Sequence, residues 1–141
     1  MTVGASGILA NALYLDASAI VKLIVEEPGS RDLRALLAEA RPHLSGRLAT
    51  VEVRRAVARA GLDAFAETEA VLEAIDLIEL DETVAIRAAG LSPFTLRTLD
   101  AIHLSAAIGL HRELRAVVTY DHRLAEAARR HGLPVVSPGA K

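Results

Sequence analysis

Short strand-like runs alternate with longer stretches of helical periodicity along nearly the whole of this 141-residue chain. The runs are brief and mostly apolar, whereas the stretches between them space Leu, Val and Ala at helical intervals. Strands that alternate with helices predict βαβ units and a parallel sheet that helices cover on both faces. We therefore expect an α/β fold, a three-layer α/β/α sandwich around a short parallel sheet of about five strands. The strands are predicted at 12–15, 43–48, 77–80, 116–120 and 133–136.

The same pattern predicts one domain at residues 13–137, with a loose leader at 1–12 and a short tail at 138–141. The leader lacks the basic start of a signal peptide. No apolar run approaches the roughly 18 residues of a membrane span, so we expect no membrane association. The chain has no cysteine. This excludes disulfides and cysteine-based metal or nucleophile chemistry, and it is compatible with the cytoplasmic location that we expect.

The charge balance limits how the chain can bind nucleic acid. Its net charge of -2 argues against binding through overall charge alone. Of its 16 basic residues, however, only Lys22 and Lys141 are lysines, and arginine suits bidentate phosphate contacts better than lysine. A GC-rich genome would produce the same arginine excess, so both explanations stay open.

Four acidic residues occupy predicted strand ends and helix starts. Asp16 follows the first predicted strand directly, and Asp121 follows the fourth. Glu52 and Asp100 each lie two residues after a threonine that can cap a helix. In parallel sheets the functional crevice lies beyond the carboxyl ends of the strands. We therefore expect all four side chains to project toward one edge of the sheet.

Such a group of acids indicates a metal site. Clustered carboxylates repel one another, and a divalent cation removes that conflict. Ligands that are all oxygen suit the hard cations Mg²⁺ and Mn²⁺. A bound cation can activate water and neutralise charge that develops on a phosphate. Helix capping explains each acid equally well when it is considered alone, so the prediction depends on the four acids together.

Four short segments carry these acids: YLDASA at 14–19, TVEV at 50–53, RTLDAIHL at 97–104 and TYDHRL at 119–124. In this order they resemble the motifs of the PIN domain family, and more narrowly those of the VapC toxins of bacterial toxin–antitoxin pairs. The third segment, with Leu96, is similar to L-x-x-x-D-A-x-x-L, and the fourth to T-x-D-x-x-L. One departure is that about 15 residues precede Asp16 here, which raises a question about the translation start.

The resemblance implies a toxin that acts as a Mg²⁺- or Mn²⁺-dependent endoribonuclease on RNA. It also implies a homodimer and inhibition by a cognate VapB-like antitoxin. The catalytic and metal-binding roles are carried onto Asp16, Glu52, Asp100 and Asp121 only. Two or three of these acids would hold the cation, and the remaining one would orient or deprotonate the attacking water.

Several neighbouring residues have two interpretations each. Ser18 and Thr119 are hydroxyls beside the acids that can support the metal site, or simply cap a helix and bond a strand end. Arg97 is a candidate RNA contact, and its alternative is a solvated surface position. His103 lies one turn after Asp100, and we expect it to be packed or half-exposed rather than a ligand.

Two other functional classes stay open. One is a catalytically silent PIN fold that only binds a partner, and the other is a phospho-receiver-like signalling domain. The receiver needs a late lysine near the site, but Lys141 lies in the predicted tail. For the antitoxin, the apolar helices at 19–25 and 33–37 could form a groove. Burial of those residues in the core is the competing use.

Overall fold

The computed structural model describes residues 11–140. Residues 1–10 of the predicted leader, and Lys141, lie outside the described residues. No helix within the described range combines the length and the apolar character that crossing a bilayer requires. The elements of this range are, in chain order, β1 (Ala12–Leu15), α1 (Ala17–Val21), α2 (Ser30–Glu39), β2 (His43–Gly46), α3 (Ala49–Arg59), α4 (Phe65–Glu73), β3 (Asp76–Ile78), α5 (Glu82–Ala89), α6 (Thr98–Ile108), β4 (Leu114–Val118), α7 (His122–Arg130) and β5 (Val135–Val136).

The strands form one parallel sheet in the order β3-β2-β1-β4-β5. The prediction of a short parallel sheet with five strands is therefore confirmed. The chain builds outward from β1 to β3, and then returns to add β4 and β5 on the other side of β1. The β1–β4 boundary is thus the point where the order reverses, and the crevice of such sheets forms there.

Strand β1 shows why the sheet is covered on both faces. All four of its side chains are buried, and successive side chains of a strand point to opposite faces. Leu13 and Leu15 join a core cluster with α1–α4. Tyr14 joins a second cluster that contains Leu104 of α6 and Leu124 of α7. The three-layer α/β/α architecture follows from these two cores.

The helix starts differ from the predictions by a few residues. Ser18 was expected to cap the first helix, but Asp16 does so, because its carboxylate accepts a hydrogen bond from the Ala19 amide at 3.0 Å. Thr50 was expected at the cap of α3, but this helix begins at Ala49. The Thr50 hydroxyl instead donates to the Arg47 carbonyl at 2.7 Å, a local bond that competes with capping.

The fourth strand also lies two residues earlier than predicted, at Leu114–Val118 instead of 116–120. Thr119 directly follows the strand, and its hydroxyl donates to Asp16. Asp121 consequently lies at the cap of α7 rather than directly at a strand end.

The apolar faces predicted to form an antitoxin groove are largely core. Ala19, Ile20 and Leu33 have no exposed surface, and Leu37 is 7% exposed. These side chains pack against β1 and β4 in the first core cluster. The competing interpretation, core burial, is correct for them because α1 and α2 cover one face of the sheet.

Truncating a central core residue tests this packing. Leu13→Ala should lower the free energy of unfolding by about 2–5 kcal/mol, since it leaves a cavity beneath two helices. Urea unfolding measures this loss. Ile86→Ala serves as the control, because Ile86 is 66% exposed on α5. Equal loss in the two variants would contradict the assignment of Leu13 to the core.

Candidate active site

The structure gives each of the four predicted acids a defined position. Asp16 follows β1 and caps α1, and Asp121 caps α7. Strands β1 and β4 are parallel neighbours, so both acids lie at the same edge of the sheet. Glu52 and Asp100 lie in the first turns of α3 and α6, as the sequence predicts.

The pKa of Asp100 is affected by the other three acids. Burial raises the pKa of Asp100, and the charge of Asp121 raises it further. Asp16 and Glu52 also raise this pKa, whereas His103 lowers it. The four carboxylates therefore share one electrostatic environment. Within residues 11–140, no three acidic or imidazole groups are close enough together to hold a metal ion as they stand.

Asp16 is the most constrained of the acids. It is 4% exposed, and three donors reach its carboxylate. Ser18 Oγ and the Ala19 amide donate to Oδ1 at 2.6 Å and 3.0 Å, and Thr119 Oγ1 donates to Oδ2 at 2.5 Å. Burial raises the pKa of Asp16 although these hydrogen bonds oppose the shift. The strand end therefore holds a carboxyl group whose ionisation is disfavoured by burial.

The two hydroxyls beside Asp16 also join β1 to the segment after β4. The Tyr120 amide donates to Ser18 Oγ at 2.9 Å, and the Asp121 amide donates to Thr119 Oγ1 at 3.0 Å. Ser18 and Thr119 thus bond two successive backbone amides, those of Tyr120 and Asp121, just before α7. Their predicted support of a metal site stays a prediction.

Glu52 makes a contact that sequence reasoning missed. His103 Nε2 donates to Glu52 Oε1 at 2.6 Å, and Tyr14 Oη lies 2.7 Å from His103 Nδ1. His103 is 3% exposed, so it is packed, but it is packed within the site. Burial disfavours the charged imidazole, yet the Glu52 hydrogen bond and the charges of three acids outweigh it and raise the pKa of His103. The only sequence signal was its spacing of three residues from Asp100.

Basic residues flank the acids. Arg97 is exposed at the cap position of α6. Exposed Arg55 and Arg59 line a groove of about 330 Å³ beside Glu52. Arg54 instead forms an ion pair with Glu69 of α4 at 2.7 Å. The groove therefore has positive side chains next to the acidic edge.

Comparisons with known proteins identify the family to which this fold belongs. The model of the PIN domain family matches residues 13–130. Ribonuclease VapC46 of Mycobacterium tuberculosis is 46% identical over 127 residues, which cover 90% of this chain and 98% of VapC46. The chain therefore belongs to the PIN domain family, among its VapC-type members. This membership argues against the phospho-receiver alternative.

Solved structures support the same fold. The crystal structure of the toxin VapC20 of Mycobacterium tuberculosis aligns with a TM-score of 0.68 at 12% identity, covering 89% of this chain and 99% of VapC20. A chain of a toxin–antitoxin complex from Klebsiella pneumoniae aligns with a TM-score of 0.67 at 23% identity. That alignment covers 90% of this chain and 97% of the Klebsiella chain.

The buried charge of Asp16 leads to a stability prediction. Because the pKa of Asp16 is higher in the folded protein, stability falls as the pH rises through that pKa. Asp16→Asn should therefore raise the melting temperature at pH 8 in EDTA by about 3–6 °C, the effect of ~1 kcal/mol in a domain of this size. Asparagine still caps a helix well. Calorimetry should find that the gain shrinks as the pH falls.

Asp63→Asn is the matched control for this measurement, because Asp63 is exposed. It should change the melting temperature little at any pH. A lower melting temperature for Asp16→Asn than for the wild type at pH 8 would contradict the assigned cost of the buried charge.

Proposed function

We propose that this protein is the toxin of a toxin–antitoxin pair and hydrolyses RNA as a Mg²⁺- or Mn²⁺-dependent endoribonuclease. The observation that carries the proposal is the placement of the four acids: Asp16 and Asp121 follow the neighbouring parallel strands β1 and β4, and Glu52 and Asp100 lie in the first turns of α3 and α6. The name of the relative VapC46, a ribonuclease, supports the reaction class. A catalytically silent PIN fold is the second candidate, and RNA cleavage distinguishes the two.

The donor set fits a hard divalent cation. The candidate ligands Asp16, Glu52, Asp100 and Asp121 offer carboxylate oxygens, which Mg²⁺ and Mn²⁺ prefer. The charges of the other three acids raise the pKa of Asp100, and a cation would relieve this repulsion. When bound, such an ion supplies positive charge at the scissile phosphate and lowers the pKa of water.

The side chains of the chain have separate tasks in this reaction. Asp16 is fixed by three hydrogen bonds and provides a rigid carboxylate at the strand end. The acid that does not hold the ion orients the attacking water or accepts its proton. Exposed Arg97 and the groove arginines Arg55 and Arg59 would contact RNA phosphates near the acids.

RNA cleavage tests the proposal directly. Purified protein should cleave RNA in the presence of Mg²⁺ or Mn²⁺, and EDTA should abolish cleavage. Asp16→Asn and Asp100→Asn should each lower kcat by about 100-fold or more. Asp63→Asn should retain full activity, since Asp63 is an exposed acid outside the site. Cleavage that survives both EDTA and Asp16→Asn would rule out this mechanism.

The proposed partners are a VapB-like antitoxin and a second copy of the chain. The aligned Klebsiella protein was solved as a toxin–antitoxin complex, which supports the first. The buried faces of α1 and α2 are not available to an antitoxin. Val51 and Leu99, which are 53% and 43% exposed beside Glu52 and Asp100, provide apolar surface at the acidic edge instead.

Light scattering coupled to gel filtration tests the dimer. The protein alone should elute with twice the 14.9 kDa mass of one chain, because exposed apolar side chains favour self-association. A mass equal to one chain over a range of concentrations would contradict the homodimer without affecting the nuclease proposal.

A further inference from the structure

A buried chain of hydrogen bonds connects the centre of the sheet to Glu52. It runs from Tyr14 of β1 to His103 of α6 and on to Glu52 of α3, over 2.7 Å and 2.6 Å. Tyr14 has no exposed surface and His103 is 3% exposed, whereas the Glu52 side chain is 24% exposed. Three separate elements thus contribute to one chain of two hydrogen bonds. The end of this chain that reaches solvent is Glu52, a candidate catalytic acid.

The chemistry of the groups gives these hydrogen bonds a direction. An ionised carboxylate only accepts, so His103 Nε2 must carry a proton toward Glu52 in either charge state of the ring. In the neutral ring Nδ1 is then an acceptor, and the Tyr14 hydroxyl donates to it. Tyr14 therefore fixes the tautomer that points at Glu52.

The anchor has little freedom to move. The Tyr14 and His103 rings meet edge to face, with centroids 5.8 Å apart. The backbone of Gly46 in β2 closes the other side, because a Cβ at this position would lie 3.0 Å from the Tyr14 hydroxyl and 3.9 Å from His103 Nδ1. The imidazole is thus held by a strand on one side and by its own helix on the other.

We infer that His103 is a positioning residue that, through Tyr14, orients the Glu52 carboxylate for the proposed reaction. Glu52 lies in the first turn of a helix on a long, partly exposed side chain, which would otherwise sample several rotamers. The hydrogen bond from His103 occupies Oε1 and leaves Oε2 for the site. Substitution of a residue that hydrogen-bonds to a metal ligand typically lowers metal affinity or activity by about 10–100-fold.

Strand β1 thereby helps to position two acids, Asp16 and Glu52. Asp16 follows its last residue, while Tyr14, two positions earlier, fixes Glu52 through His103. The side chains of Tyr14 and Leu15 point to opposite faces. The distance between Asp16 and Glu52 therefore depends on the geometry of one buried strand rather than on a flexible loop.

Two substitutions of one residue separate positioning from packing. His103→Gln keeps an N–H donor near the place of Nε2, whereas His103→Asn keeps a polar atom only near the place of Nδ1. Mn²⁺ affinity is measured by calorimetry, and kcat and KM by RNA cleavage. His103→Asn should bind Mn²⁺ about 10–100-fold more weakly and lose kcat at unchanged KM. His103→Gln should restore most of both.

A purely structural role would give a different result. It would lower the melting temperature and the active fraction of both variants, but leave the Mn²⁺ dissociation constant of the folded protein unchanged. If His103→Asn does not fold, Tyr14→Phe distinguishes the positioning role from the structural one. This substitution removes only the hydroxyl and should weaken Mn²⁺ binding about 10-fold if the positioning role is correct.

The inference rests on the proposed function, and the two fail differently. Wild-type protein that cleaves RNA with Mn²⁺, alongside His103→Asn or Tyr14→Phe variants with unchanged Mn²⁺ affinity and kcat, would overturn the positioning role alone. Wild-type protein that neither binds Mn²⁺ nor cleaves RNA would overturn the proposed function and the positioning role with it.

Discussion

The parallel pairing of β1 with β4 is the interaction on which the rest of the structure depends. Its register places Tyr14 beside Val117 and Leu15 beside Val118, and the Asp16 amide extends the ladder to the Val118 carbonyl at 3.2 Å. A slip of one residue would move every β1 side chain to the wrong face of the sheet. Both cores, the reversal of strand order and the position of Asp16 are therefore set by this one pairing.

The site works against the stability of the fold that carries it. A carboxylate buried at a strand end is costly, and three hydrogen bonds to Asp16 only partly offset the cost. Like charges nearby also raise the pKa of Asp100, so ionisation of this second acid is disfavoured as well. Such an arrangement is typical of functional sites, where optimal stability is given up for chemistry.

Sequence reasoning identified the architecture because local patterns determine it. Strand β1 was predicted with its observed bounds, Ala12–Leu15, since a short apolar run ends there directly before an acid. The predicted start of α3 was wrong because the Thr50 hydroxyl donates to the carbonyl of Arg47, three residues earlier, instead of capping the helix. The link from His103 to Glu52 was missed because it joins positions 51 residues apart. No local pattern encodes how two helices approach over a sheet.

The order of the strands has a consequence for synthesis. Asp16 and Glu52 leave the ribosome well before Asp100 and Asp121, and the Thr119 hydroxyl that holds Asp16 lies 103 positions downstream. During synthesis one edge of β1 therefore stays unpaired until β4 has been made. Pairing between such distant strands is slow, and the unpaired edge is prone to aggregation. The same delay means that a nascent chain carries only half of the acids. Any nuclease activity would begin only after release of nearly the full polypeptide.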